Sequence, residues 1–164
     1  MIVLGIDPGL ATTGYGVIEY ISKSEVLEYG TIQTSPSESR YLRFKKLGTR
    51  FEEIIKKFRP DVAAIESVFF NTNVKTAIIT GEVKGALILT CVNNGVEIAE
   101  YTPLQVKQGI VGYGRAIKTQ VQMMLKVLLG LKEIPEPDDA ADALAIALTH
   151  IHLHGQDSRI KKQR

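Results

Sequence analysis

The sequence predicts an α/β fold: a mixed five-stranded sheet covered by helices on both faces. Three observations carry this. At 164 residues the chain has the length of one domain. Its 45% hydrophobic and 23% charged composition, with mean hydropathy +0.04, is that of a globular protein. Its segments run as three strand-like stretches followed by helix-like and strand-like stretches in alternation. A meander then alternation calls for antiparallel pairs first and parallel pairs after.

The elements follow in order. Met1 to Asp7 is apolar and β-branched and is stopped by Asp7-Pro8-Gly9, so it reads as a buried strand ending in a turn. Thr13 to Tyr20 and Val26 to Thr34 complete the meander, with Gly14, Gly16 and Gly30 allowing bends or close approach of another backbone. Ser35-Pro36-Ser37-Glu38 supplies a capping residue, Pro at the first helical position and Glu at the third, which predicts a helix start. Phe44, Leu47, Phe51, Ile54, Ile55 and Phe58 then form one apolar stripe, and Pro60 ends the helix. Asp61 to Glu66 is a short buried strand, with only small and branched apolar residues between its acids.

A second helix is expected from Lys75 to Val92, where Gly81 and Gly85 stand one turn apart. Two readings of that pair are open: close packing of the helix on the sheet, or a dimer contact. Val96 to Tyr101 is the fifth strand, Pro103 opens a short helix, Ile117 to Leu129 is another, and the last starts after Pro137 and runs to about Ile151. Right-handed crossovers place the later strands parallel to the first. Function then concentrates at the carboxyl ends of those strands.

Composition excludes several classes. No run approaches the roughly 18 consecutive apolar residues of a membrane span, and Met1 to Ile6 is too short for a secretory leader. One cysteine, Cys91, and three histidines, His150, His152 and His154, make no cysteine-rich metal framework and fit a cytoplasmic protein. Net charge is +2, but Arg159, Lys161, Lys162 and Arg164 crowd the last six residues, leaving 16 cations against 18 acids elsewhere. We therefore expect one domain over residues 1–157 and a mobile basic arm over 158–164. From Tyr101 to Lys132 the cations Lys107, Arg115, Lys118, Lys126 and Lys132 occur without an acid. That window is either a solvated basic face or a phosphate-facing surface.

Four acids stand out by location. Asp7 ends the first strand, Glu66 ends the fourth, and Asp139 and Asp142 share one face at the start of the apolar last helix. If strands one and four are parallel neighbours, the four carboxylates converge. Like charges so close push one another toward protonation, and divalent cations resolve the conflict. Carboxylate oxygens without Cys or His select Mg²⁺ or Mn²⁺, and two such ions would serve phosphodiester hydrolysis. Plainer readings exist: Asp7 as a turn acid, and Asp138 and Asp139 as helix-capping acids, which we keep for Asp138. Asp142, among alanines past the cap, and Glu66, directly after Val62 to Ile65, resist them. Phe69 and Phe70 follow Glu66 in loop-like sequence, where an exposed ring can stack on bases, the alternative being a core position. Lys107 and Lys118 either hold a phosphate or are solvated.

GIDPGLATTGYGVI (5–18), AIESVFF (64–70), VKQGIVGYGRAIKTQVQ (106–122) and DAADALAIALTH (139–150) resemble, in order, the signature regions of the RuvC-type Holliday junction resolvases. The resemblance implies an RNase H-like fold and a homodimer. It also implies Mg²⁺-dependent paired nicking of four-way DNA junctions with 5′-phosphate and 3′-hydroxyl ends, and partnership with the RuvA and RuvB proteins. Carried over by motif, Asp7, Glu66, Asp139 and Asp142 are the metal-binding catalytic acids. Lys107 and Lys118 lie near the scissile phosphate, Phe69 meets unpaired bases, and the helix with Gly81 and Gly85 lies in the dimer interface. Arg115, between the two lysines, joins them as a DNA contact. Alignment of the whole motif selects Asp139 over Asp138. Two alternatives are a junction-binding protein that does not cut and an actin-like nucleotide-binding domain. The second rests on Gly5 to Gly9 with Thr13-Gly14, and the chain length opposes it.

Overall fold

The computed structural model describes residues 1–67 and 74–154. The apolar run at the start of the chain forms β1 (Ile2–Asp7), the middle strand. β2 (Thr12–Tyr20) and β3 (Ser24–Gln33) follow as an antiparallel meander. β4 (Val62–Glu66) and β5 (Glu97–Tyr101) add on the other side, parallel to β1, giving the order β3-β2-β1-β4-β5. The mixed five-stranded sheet expected from the sequence is the one observed. The helices are α1 (Arg40–Phe58), α2 (Val74–Asn93), α3 (Pro103–Val111), α4 (Lys118–Leu129) and α5 (Asp138–His154).

Alternation along β1 divides the core in two. Leu4 and Ile6 face α1 and α2, where Leu47, Phe51, Val83 and Leu87 close over them. Val3 faces the opposite side, where Leu144, Ile146 and Leu148 of α5 pack with Ile110 of α3 and Leu125 of α4. Helices cover both faces, as expected. Among the described residues no buried side-chain nitrogen or oxygen lacks a hydrogen-bond partner.

The seating of α5 decides where the site forms. This helix lies almost on the backbone of the sheet, because glycines remove the side chains that would hold it off. A Cβ at Gly5 would stand 1.9 Å from the Ala143 carbonyl oxygen, and one at Gly14 1.9 Å from that of Asp139. At Gly16 it would stand 2.7 Å from the Leu144 side chain. The close approach expected at Gly14 and Gly16 is therefore real.

Three expectations meet the structure here: the first needs correction, the second was open and is decided, and the third stands beside a helix that tests it. The first helix does not begin at Pro36 but at Arg40, capped by Ser39, whose hydroxyl accepts from the Leu42 N–H at 3.4 Å. The Glu38 carboxylate does accept from the Ser35 N–H at 3.3 Å, but the Ser35 hydroxyl bonds Ser37, so this local pairing closes a turn instead of opening a helix. The second concerns Gly81 and Gly85: a Cβ on either meets nothing within 4 Å, so no described element packs against them. Val83 and Leu87 supply the inward face of α2, and the glycines point away. The third concerns α2 itself, whose 20 residues and window hydropathy of 1.2 are enough, by length and composition alone, to cross a membrane. In this fold its buried residues pack against the sheet and α1, while Ile78, Leu89 and Val92 are exposed.

Candidate active site

The carboxylates are brought together by strand ends and one helix start. Ile6 of β1 is in register with Ile65 of β4, so the next residues, Asp7 and Glu66, end adjacent parallel strands side by side. Ile6 and Ile65 pack toward α1 and α2, so by alternation Asp7 and Glu66 face α5. Asp7 is also paired with Gly14 of β2, the residue on whose bare Cα the Asp139 carbonyl rests. The start of α5 is thus set down beside Asp7, and Asp142 follows one turn along.

Electrostatics shows the convergence. Burial, then the charges of Asp142, Glu66 and Asp139, push the Asp7 carboxyl up to about 7, with Lys118 opposing. Burial and then Asp142 raise Glu66, against Lys107 and Lys84. Burial likewise raises Asp142, which Lys118 counters by hydrogen bond and charge. Each of these acids is half-buried, and each pays a penalty for charge that its neighbours increase.

Lys118, the first residue of α4, places Nζ 3.1 Å from Asp142 Oδ2 and 3.1 Å from Asp138 Oδ2. The preceding cap fixes it: the Gln120 side chain accepts from the Ile117 N–H at 3.0 Å. Asp138 is exposed and is clasped from α4, by Lys118 and by Gln122 Nε2 at 2.9 Å. Its expected capping role is therefore corrected: the side chain turns to an ammonium, a stronger partner than a free N–H. Asp139, not Asp138, is among the charges that bear on Asp7.

Glu66, Asp142, Lys107 and Lys118 line a cleft of about 280 Å³ together with apolar residues that include Val106, Val121 and Ile146. Lys107 comes from α3, which a reciprocal cap between Thr102 and Gln105 opens. Arg115 is exposed in the connection between α3 and α4 and does not line the cleft. Phe69, Phe70 and the arm at 158–164 lie outside the described residues. Among the described residues no three carboxylates close on a single point as their side chains stand, Asp142 being turned to Lys118. The donor chemistry nevertheless fits a hard divalent cation, since neighbouring half-buried acids with raised proton affinity offer oxygens only.

Two residues escaped the sequence reading. Gln122 holds Asp138, and Lys84 of α2, with an 11% exposed side chain, pairs with Glu100 of β5 within electrostatic reach of Glu66. Neither partner is close in sequence, so no local spacing marks them.

The Asp7 shift has a stability consequence with a definite sign. Its folded affinity, about 7, exceeds the ordinary 3.8, so between these values the folded chain holds a proton that the unfolded chain has released. That contribution is complete below about pH 4 and is lost as pH rises through about 7. In EDTA, the melting temperature of wild type relative to Asp7→Asn should therefore fall between about pH 5 and about pH 8. A flat difference in calorimetry would remove Asp7 from the coupled cluster.

Comparison with known proteins gives the family and the fold. The family model "Crossover junction endodeoxyribonuclease RuvC" matches residues 3–150. The RuvC of Caldicellulosiruptor saccharolyticus is 59% identical over 153 residues, covering 92% of each chain. The structure of Thermus thermophilus RuvC in complex with a Holliday junction substrate superimposes with TM-score 0.91 at 38% identity, over 96% of this chain and 97% of that one. The yeast mitochondrial Holliday junction resolvase, 13% identical with TM-score 0.71 over 98% of this chain and 81% of its own, shares the fold. Family and fold together define a nuclease of the RNase H-like class. Within it, this chain belongs to the crossover junction endodeoxyribonuclease RuvC family. The nucleotide-binding reading of Gly5 to Gly9 is left without support.

Proposed function

We propose that this protein resolves four-way DNA junctions by paired, metal-assisted phosphodiester hydrolysis. The observation that carries the reading is one cleft lined by the raised-affinity acids Glu66 and Asp142 together with Lys107 and Lys118, with Asp7, whose carboxyl those acids raise, beside Glu66 at the end of β1. The Holliday junction bound by the Thermus thermophilus relative supplies the substrate class.

Asp7, Glu66, Asp139 and Asp142 would hold the cation, Mg²⁺ with Mn²⁺ as a substitute, two per site. When bound, it supplies the positive charge that polarises a phosphodiester and activates water. The protein's own groups do the rest. The carboxylates orient an attacking water and accept its proton; the water oxygen joins phosphorus as the P–O3′ bond breaks, and the departing O3′ takes a proton from solvent, leaving a 5′-phosphate and a 3′-hydroxyl. Lys118, held by Asp142 and Asp138, is aimed to offset charge on the leaving oxygen. Lys107 steadies the phosphate from α3, and Arg115 extends the cationic path outward. Phe69 contacts unpaired bases at the crossover.

Two symmetric nicks need two sites related by a twofold axis, so the working form is a homodimer. The outward side of α2 suits that contact: Ile78, Leu89 and Val92 are exposed, and Gly81 and Gly85 leave room for a second backbone. Residues 1–157 act as one nuclease domain with a basic arm at 158–164. The family resemblance supplies RuvA and RuvB as partners, and the cytoplasm, with the chromosome, as the place of action.

Replacing Lys118 by Ala should lower the single-turnover cleavage rate by about 10². Asp138→Ala, which removes only one of the groups clasping that lysine, should stay within about threefold of wild type. Equal rates for Lys118→Ala and wild type would remove the lysine from transition-state stabilisation. The reading as a whole is tested with a synthetic four-way junction and a linear duplex of the same sequence, each with Mg²⁺ and with EDTA. Paired opposed nicks in the junction with Mg²⁺ alone are expected. Binding without nicks would make the protein a non-cutting junction module.

A further inference from the structure

The mechanism leaves the histidines at the end of α5 unused, yet two of them hold structural positions. His150 is 7% exposed, and its Nδ1 lies 2.7 Å from the hydroxyl of Tyr101, itself 4% exposed. Tyr101 ends β5 and stands in register with Glu66 on β4. His152 Nδ1 lies 2.7 Å from the Gly109 carbonyl oxygen, to which it donates. Gly109 stands two residues beyond Lys107 on α3, and a Cβ there would fall 2.7 Å from Thr149 of α5. The C-terminal half of α5 is thus fastened to the strand beside Glu66 and to the helix that carries Lys107.

The fastening answers a physical need. The N-terminal half of α5, with Asp139 and Asp142, rests on Gly5, Gly14 and Gly16. Contact with bare backbone is close but non-directional, so it sets the depth of a helix better than its rotation or axial position. Hydrogen bonds are directional and fix both. The eight residues from Asp142 to His150 span about 12 Å of rigid helix, so a shift at one end reaches the other.

We propose that Tyr101–His150 and His152–Gly109 are positioning contacts that fix the rotation and axial seat of α5, and through it the spacing of Asp139 and Asp142 from Asp7 and Glu66. This rests on the carboxylate reading of the site. Burial, helped by His154, lowers the His150 affinity for a proton to about 4, so at neutral pH the pair is an uncharged hydrogen bond.

The test uses full-length Tyr101→Phe, His152→Ala and His150→Gln, with Leu47→Ala as a control buried on the opposite face of the sheet. Tyr101→Phe should lower the single-turnover cleavage rate about tenfold, and His152→Ala about threefold, with junction affinity in EDTA unchanged within about twofold. Both should also shrink the rise in melting temperature produced by saturating Mg²⁺. His150→Gln still offers Tyr101 a polar partner and should keep the rate within about threefold of wild type. Leu47→Ala should lower the melting temperature at least as far as Tyr101→Phe and keep the rate within about twofold. A wild-type rate for Tyr101→Phe, or rates that track melting temperature across all four variants, would overturn the proposal. A wild type that does not cut, or an Asp7→Asn that does, would sink the carboxylate reading and this inference with it.

Discussion

Asp7→Asn should abolish cleavage, by at least about 10³, while the variant folds and still binds a junction. Asparagine keeps the shape of the side chain and loses only the capacity for charge. Asp7 is the acid on which the charges of Asp142, Glu66 and Asp139 all bear, so its loss removes the centre of the proposed cation site. The same substitution relieves repulsion on its neighbours. The variant should therefore melt no lower than wild type in EDTA above about pH 7, which separates lost chemistry from lost fold. Single-turnover cleavage, a gel-shift titration and calorimetry on one preparation check all three. A rate within about tenfold of wild type would mean that the other acids hold the cation without Asp7.

Gly14→Ala should be the most damaging single methyl addition near the site. Its Cβ would stand 1.9 Å from the Asp139 carbonyl oxygen, 2.4 Å from the carbonyl carbon and 3.1 Å from the Ala140 nitrogen. All three are backbone atoms, so no side chain can swing aside; either the strand or α5 must move. Overpacking of this kind costs about 3 kcal/mol or more, a fall of roughly 10 °C in melting temperature for a domain of this size. Cleavage should fall further than stability alone dictates, since the displaced backbone is that of Asp139 itself. Calorimetry together with cleavage measured well below the melting temperature checks both parts. Full activity at wild-type stability would show that α5 does not lie on the sheet backbone at this point.

The legible parts of the sequence share a cause. Asp7 and Glu66 could be placed because each ends an apolar run, and the end of a strand is where a chain must turn whatever its partners. Asp142 could be placed because a charge among alanines needs an unusual neighbour. Gly14 and Gly16 signalled close approach because a strand tolerates glycine only where something needs the space. What escaped depends on contacts between distant segments. The start of α1 slipped to Ser39 because several serines and Glu38 compete for the same N–H groups, and local sequence does not say which wins. Gly81 and Gly85 were ambiguous because a pair one turn apart looks the same whether it faces the sheet or faces out. Asp138 looks like a cap in the sequence because its partners, Lys118 and Gln122, come from another helix. Lys84 and Glu100 meet only once β5 has been laid beside α2.

The most direct test of the central claim, that the acids at the ends of β1 and β4 and the start of α5 form one cation site, is anomalous diffraction from crystals grown with Mn²⁺. The expected result is a peak about 2.1 Å from a carboxylate oxygen of Asp7 and from at least one of Glu66, Asp139 and Asp142. Mn²⁺ bound only elsewhere, with Asp7 making no contact to it at saturating concentration, would contradict the claim.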